Sequence, residues 1–312
     1  MSNLTNIAFV FPGQGSQKVG MLADYADNSI FKGTFEEASQ VLGYDLWAAT
    51  CEGPQEKINQ TEVTQPLLLT CSVALWRIWQ DKGGARPAYM AGHSLGEWSA
   101  LVCAGVLAFK DAVNLVRLRG KYMQEAVPPG EGAMAAIIGM SDEAVEKACA
   151  SVVSRHVVAP VNYNSPGQLV IAGGVAAVEL AIAACKEAGA KKAMSLPVSA
   201  PFHTSLMKPA ADRLAAEIEA TSFVTPEIPV IHNVTAKPEV DPVVIKRLMI
   251  AQIYTAVRWV SCVQYIVDEG VVSAVECGPG KVLSGLNRRI DSSLRSFDVN
   301  SLSALESALQ DL

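Results

Sequence analysis

No run of apolar residues in this sequence approaches the roughly 18 needed to cross a bilayer. Nor does the N-terminus carry a basic segment followed by an apolar core and a cleavage site. The expectation is therefore a soluble, cytoplasmic protein. The seven cysteines include no C-x-x-C pair and no Cys/His ligand spacing, so they read as scattered reduced thiols rather than as a disulfide framework or a structural metal site. Basic residues are outnumbered, 25 Lys and Arg against 31 Asp and Glu for a net charge of −6. Basic pairs such as Lys191-Lys192 and Arg288-Arg289 are too short to neutralise a track of phosphates, which excludes a general nucleic-acid binder. Internal repeats and low-complexity segments are absent as well.

What is present is apolar material. Half of the 312 residues are hydrophobic and the mean hydropathy is positive, enough for one large core or two unequal ones. Around Ala88-Tyr-Met-Ala-Gly-His-Ser-Leu-Gly-Glu-Trp-Ser-Ala100 a short apolar strand, a sharp turn and a helix follow one another. The turn is Gly92-His93-Ser94-Leu95-Gly96, the G-x-S-x-G pattern of a nucleophile elbow. There the serine takes a strained backbone conformation and small flanking residues let strand and helix approach. Ser94 is thereby exposed at the carboxyl end of the strand. The amide of Leu95, at the helix N-terminus, faces the place where an oxyanion would form.

The rest of the chain alternates strand and helix. The apolar run 7–11 reads as a strand buried on both faces. It ends in Pro12-Gly13-Gln14-Gly15-Ser16-Gln17, which lacks both the third glycine of a dinucleotide fingerprint and the Gly-Lys-Ser/Thr ending of a P-loop. Two readings of this loop stand: its glycines let backbone amides, that of Gln14 above all, approach a ligand or an oxyanion, or it is an ordinary strand-to-helix turn. Residues 34–82 read as helical, with Pro54 at a helix start, Gln65-Pro66 in the first turn of a long segment from Thr64, and Gly83-Gly84 closing it. A helix over 109–127 follows the elbow. Pro128-Pro129-Gly130-Glu131-Gly132 then marks a linker.

Beyond the linker the pattern becomes strand 133–138, helix 141–153, strand 157–163, a turn at 164–167, strand 168–172, helix 176–188 and strand 192–198. That βαββαβ order predicts a small ferredoxin-like subdomain over 129–199, inserted into a large α/β domain of residues 1–128 and 200–312 with a mainly parallel, hydrolase-like sheet. The large domain resumes with a helix over 204–220, a strand over 230–233, helical segments near 242–252 and 256–269, and a strand over 271–276.

A serine nucleophile needs a base, and there are four histidines. His203, in Ser199-Ala-Pro-Phe-His-Thr204, lies at a strand-to-helix junction, where catalytic side chains gather in α/β folds. His93 adjoins Ser94 but should point away from it, holding the turn or touching substrate. His156 and His232 read as structural. No Asp or Glu between Ser94 and His203 stands in a loop suited to orient the imidazole, so a backbone or amide oxygen is the expected partner.

Phe11-Pro-Gly-Gln-Gly-Ser-Gln17, Gly92-His-Ser-Leu-Gly-Glu97, Arg117-Leu-Arg-Gly120, Asn162-Tyr-Asn-Ser-Pro-Gly-Gln168, Pro201-Phe-His203 and Glu276-Cys-Gly-Pro-Gly-Lys281 together resemble the malonyl-CoA:acyl carrier protein transacylases of fatty-acid synthesis. The motifs come in that family's order over nearly the whole chain. The resemblance implies Ser94 as nucleophile and His203 as base, with the amides of Gln14 and Leu95 as oxyanion hole. It implies Arg119 as the cation holding the malonyl carboxylate and Gln252, in Met249-Ile-Ala-Gln252, as the residue whose carbonyl orients the histidine. Asn162, His93 and Phe202 are expected to line the substrate site, Phe202 narrowing it against α-branched acyl groups. Trp98 departs from the aromatic found in many members.

The partners implied are malonyl-CoA and acyl carrier protein. No metal or redox cofactor is implied, since the phosphopantetheine belongs to the carrier. A basic face including Lys281, Arg288 and Arg289 could meet an acidic carrier or simply be solvated. The expected form is a free-standing monomer. The rivals are a serine thioesterase or esterase, which should orient its base with a carboxylate and lack the buried arginine, a non-catalytic subunit of the same fold, and an acyltransferase serving a polyketide pathway.

Overall fold

The computed structural model describes residues 5–152, 157–198 and 200–312. Its elements are β1 (Thr5–Phe11), α1 (Ser29–Leu42), α2 (Leu46–Glu52), α3 (Gln55–Ile58), α4 (Thr61–Asp81), β2 (Pro87–Gly92), α5 (Leu95–Cys103) and α6 (Phe109–Glu125). There follow β3 (Gly132–Ile138), α7 (Asp142–Val152), β4 (Val158–Ser165), β5 (Gln168–Gly174), α8 (Val175–Glu187) and β6 (Lys192–Ser195). The chain closes with α9 (Lys208–Ala220), β7 (Val230–Ile231), α10 (Pro242–Gln252), α11 (Trp259–Asp268), β8 (Ser273–Glu276), α12 (Val282–Ile290), β9 (Arg295–Asp298) and α13 (Leu302–Asp311).

Two sheets carry the architecture. The first has the order β7-β2-β1-β8-β9 with every pairing parallel. β1 lies at its centre and alternates strictly: Ile7, Phe9 and Phe11 enter a core under α1, α4 and α6, while Ala8 and Val10 enter a second core with Val257, Trp259 and Val263. A strand with apolar side chains on both faces is what a sheet covered on both sides requires. The chain leaves β1 to pair β2 on one side and returns later to pair β8 on the other. The carboxyl ends of these strands, on either side of that reversal, are where open α/β sheets bind their ligands.

The second sheet has the order β4-β5-β3-β6, and all its pairings are antiparallel. Numbered from its own first strand, that order is 2-3-1-4, the ferredoxin-like arrangement. One face packs Ala135, Ile137, Leu169 and Ile171 under α7 and α8. The other holds Met134, Val161, Val170 and Ala172 against Leu196, Val198 and Phe202. β4 is tied to the parallel-sheet side by two backbone bonds, Tyr163 N–H to the Val257 carbonyl (3.0 Å) and Val257 N–H to the Val161 carbonyl (2.8 Å).

Several sequence expectations need correction. α4 begins at Thr61, so Pro66 lies inside the helix rather than in its first turn. The carbonyl that its missing N–H would have engaged belongs to Glu62, which is exposed and can be solvated. The strand expected over 230–233 is only Val230–Ile231, because Asn233 turns into the site described below. The segment expected to be helical from 256 starts at Trp259, and the strand expected to reach 198 ends at Ser195. The end of the helix expected over 141–153, His156 and the boundary residue Ser199 lie outside the described residues.

Candidate active site

The elbow is built by steric necessity. A Cβ at Gly92 would overlap the Gly96 backbone, and one at Gly96 would overlap the Phe11 carbonyl, so β2, α5 and the end of β1 approach closely only with glycine at both positions. Ser94 sits at the apex with φ 52° and ψ −105°, a conformation disfavoured for a residue with a side chain and held by its surroundings. Its own N–H is engaged, donating to Asn233 Oδ1 at 2.8 Å, while Asn233 Nδ2 donates to the Gly92 carbonyl at 2.7 Å. Leu95, the first residue of α5, has an amide at the helix N-terminus with no acceptor one turn back inside the helix.

His203 is the imidazole that faces the serine. Ser94 Oγ lies 2.7 Å from His203 Nε2, and His203 Nδ1 lies 2.8 Å from the Gln252 carbonyl oxygen. A carbonyl can only accept, so Nδ1 carries the proton and Nε2 presents its lone pair to the hydroxyl. His203 itself has φ 64°, a second strained residue at the same centre. It is 5% exposed. Burial, and then the neighbouring Arg119 charge, hold it down to about 3, well below the ordinary imidazole value.

Arg119 comes from α6 and is 1% exposed. Its Nη1 donates to Gln65 Oε1 at 2.9 Å, and its Nη2 donates to Gln252 Oε1 at 3.0 Å and to Ser94 Oγ at 3.2 Å. Nε has no partner. Among the described residues no carboxylate comes within ion-pair distance of this guanidinium. Burial lowers it to about 10, opposed by the more distant Glu97. Arg119 remains cationic at neutral pH and presents that charge beside Ser94 Oγ.

The other predicted residues fall around this centre. Gln14, in the loop after β1, donates from Nε2 to Thr61 Oγ1 at 3.4 Å. His93 turns away from Ser94: its Nε2 meets Asn164 Oδ1 at 2.8 Å, and its ring lies against Trp259 at 5.7 Å. The asparagine that meets His93 is thus Asn164, whereas Asn162 bridges to Val257 and leaves its Oδ1 without a partner. Phe202 packs between the second sheet and the main core. Trp98 is fully buried.

Sequence reasoning missed four residues that the structure brings here: Gln65, Glu97, Asn233 and Asn164. For Gln65 the available signal was an amide side chain set within the apolar stretch that becomes α4. Glu97 lay inside the Gly92–Glu97 motif without a role, and its partner His232 makes its bond to that carboxylate rather than to Ser94. Among the described residues no group of three His, Cys, Asp or Glu side chains could hold a metal ion, and no helix is long and apolar enough to cross a membrane.

Residues 8–293 match the family model described as acyl transferase domain. A malonyl CoA-acyl carrier protein transacylase of Salmonella typhimurium is 57% identical over 307 residues, covering 98% of this chain and 99% of that protein. This chain belongs to the malonyl-CoA:acyl carrier protein transacylase family. The likeness extends to a Bacillus subtilis member, 44% identical over 99% of this chain and 98% of its own. In solved structures, an acyl carrier protein S-malonyltransferase of Vibrio cholerae superposes with a TM-score of 0.96 at 57% identity, covering 97% of this chain and 99% of that one. A malonyl-transacylase in complex with its type II PKS acyl-carrier protein gives 0.97 at 53% identity, covering 98% and 99%. The transacylase fold is thus shared from end to end of the region compared.

Proposed function

We propose that this acyltransferase moves the malonyl group of malonyl-CoA to the phosphopantetheine thiol of an acyl carrier protein by way of an ester on Ser94, supplying extender units for fatty-acid synthesis. The observation that carries the reading is Arg119: a buried guanidinium with no carboxylate partner among the described residues, one nitrogen 3.2 Å from the Ser94 oxygen. Malonyl is a short diacid whose free carboxylate lies two carbon–carbon bonds from the carbonyl to be attacked. An acyl group esterified to Ser94 brings that carboxylate within reach of the fork, which suits a carboxylate bidentately.

The steps balance with the groups present. Ser94 Oγ attacks the thioester carbon as its proton passes to His203 Nε2, and the oxyanion forms against the amides of Leu95 and Gln14. The C–S bond breaks and the imidazolium proton goes to the departing thiolate. The carrier thiol then enters by the same route in reverse: it gives its proton to His203, attacks the ester and returns Ser94 to the hydroxyl form. Acyl exchange between oxygen and sulfur changes no oxidation state, and we assign the reaction no metal or redox cofactor. The acyl carrier protein carried by the type II PKS relative supports an acceptor of that class here. A monomer acting in the cytoplasm completes the proposal, with residues 129–199 as an inserted unit beside the catalytic one.

A thioesterase is the weaker reading, because its base is expected to rest on a carboxylate and His203 rests on a carbonyl. A charge-assisted hydrogen bond contributes about 1.5–3 kcal/mol, roughly 10- to 150-fold. Arg119→Ala is therefore expected to lower the preference for malonyl-CoA over acetyl-CoA in Ser94 acylation by about that factor. Competition between the two thioesters is the measurement, and an unchanged ratio would mean that another residue reads the carboxylate.

A further inference from the structure

Glu97 is fully buried and takes no part in the steps above. Its Oε2 accepts from Gln252 Nε2 at 2.7 Å and from the Asn233 N–H at 3.1 Å, and its Oε1 accepts from His232 Nδ1 at 2.7 Å. The Gln252 side-chain amide is thus held between a carboxylate, which only accepts, and the Arg119 guanidinium, which only donates. One orientation satisfies both: Nε2 toward Glu97 and the Ser94 carbonyl (2.9 Å), Oε1 toward Arg119 (3.0 Å). The backbone carbonyl of the same residue holds His203 Nδ1. Gln252 therefore ties the base and the acyl-selecting cation to one residue, and Glu97 is the group that fixes which way its amide faces.

We propose that Glu97 is a positioning residue for malonyl selection. It acts through the Gln252 amide, and His232 supports it from behind. The arrangement also places one buried anion near Arg119 without neutralising it directly. Were the carboxylate in contact with the guanidinium, the fork would be occupied and a malonyl carboxylate would have no place. The intervening amide transmits the orientation, holding Nη2 beside Ser94 Oγ through neutral contacts only and adding no negative charge to the guanidinium. Without Glu97 the amide can rotate and present Nε2 to Arg119, setting donor against donor and displacing the guanidinium from its position beside Ser94.

This inference rests on the malonyl-transfer reading, and its test separates the two. Rapid-quench acylation of Ser94 by malonyl-CoA and by acetyl-CoA is measured in the wild type, in Glu97→Ala, in Gln252→Met and in the double variant. Failure of the wild type to form a malonyl ester overturns the reading of the reaction itself. Given wild-type activity, Glu97→Ala is expected to lower the malonyl-to-acetyl ratio at least tenfold, and Glu97→Gln to keep it within about threefold, because an amide oxygen can still accept from Gln252 while its NH2 group donates to the other tautomer of His232. In the Gln252→Met background, Glu97→Ala is expected to change the ratio no further.

A loss of thermal stability with the ratio intact, or an equal fall in both backgrounds, overturns the proposal. If Glu97→Ala does not fold, Glu97→Asp draws the carboxylate back from Gln252. It is expected to lower the ratio severalfold in the wild-type background and not in the Gln252→Met background, and equal falls in the two again overturn the proposal.

Discussion

Two buried histidines, His203 and His232, stand by the elbow, and they are built on opposite principles. His232 hydrogen-bonds the Glu97 carboxylate at 2.7 Å and has no partner at Nε2. His203 bonds a neutral backbone carbonyl through Nδ1 and faces the Ser94 hydroxyl through Nε2. The carboxylate–imidazole pair familiar from serine hydrolases is thus present in this molecule, but at the histidine that has no nucleophile. In the substrate-facing position a carboxylate would put a negative charge close to Arg119 and to the incoming malonyl carboxylate. A carbonyl fixes the same tautomer with no formal charge. On the proposed mechanism this difference lets selection and catalysis coexist within a few ångströms: the histidine facing the serine is paired with a neutral group, and among the described residues the only formal charge in contact with Ser94 Oγ is that of Arg119.

That comparison can be broken from either side. Removing the imidazole in His203→Ala is expected to lower Ser94 acylation by about 10²–10⁴-fold, followed as the burst of CoA released in single turnovers. A loss below tenfold would mean that another group takes the proton. The counterpart His232→Ala leaves Glu97 buried with one acceptor unpaired. It is expected to cost about 2–4 kcal/mol in denaturant unfolding, with acylation reduced by less than roughly tenfold because Glu97 keeps Gln252 and Asn233. A rate loss as large as that of His203→Ala would erase the distinction between the two histidines.

Acidity sharpens the comparison further. Burial and the Arg119 charge depress His203 to about 3, so its Nε2 stays unprotonated on acidification, and with His203 as the proposed base the acid limb of kcat/KM is expected well below pH 5. A limb centred near the ordinary imidazole value of about 6.5 would contradict the burial of His203 beside a cation. The same depression has a sign for stability. Between the unfolded value and the folded one, the unfolded chain binds a proton that the native state does not, so His203 contributes a loss of stability as pH falls from about 6.5 toward 3.

Much of this was legible in the sequence because it rests on local chemistry. The elbow can be read from Gly92 and Gly96, whose neighbours leave no room for a Cβ. The second sheet can be read from a hydrophobic period that switches between two and 3.6. Ser94, His203 and Arg119 stood in motifs, and the structure brings all three into contact. The rest depended on distant pairings. β9, Arg-Ser-Phe-Asp, is a polar strand at the edge of the parallel sheet with no apolar run to announce it. Helices α12 and α13 are short, and the sequence reading did not place them.

Pro66 favoured a helix start, and tertiary packing carried the helix one turn further back. Gln65 and Asn233 reach the site from 29 positions before and 139 after Ser94. No local spacing could assign amides that act only where α4 and the end of β7 converge on the elbow.

The central claim is that Ser94 carries a malonyl ester that is handed to a carrier thiol rather than to water. Intact-protein mass spectrometry after brief mixing with malonyl-CoA tests it, with and without phosphopantetheinylated acyl carrier protein and with Ser94→Ala as control. The expected result is a malonyl adduct that maps to Ser94, is absent from the variant, persists in buffer and is discharged onto the carrier. An adduct that remains in Ser94→Ala, or one lost to water equally fast whether or not the carrier is present, would contradict it.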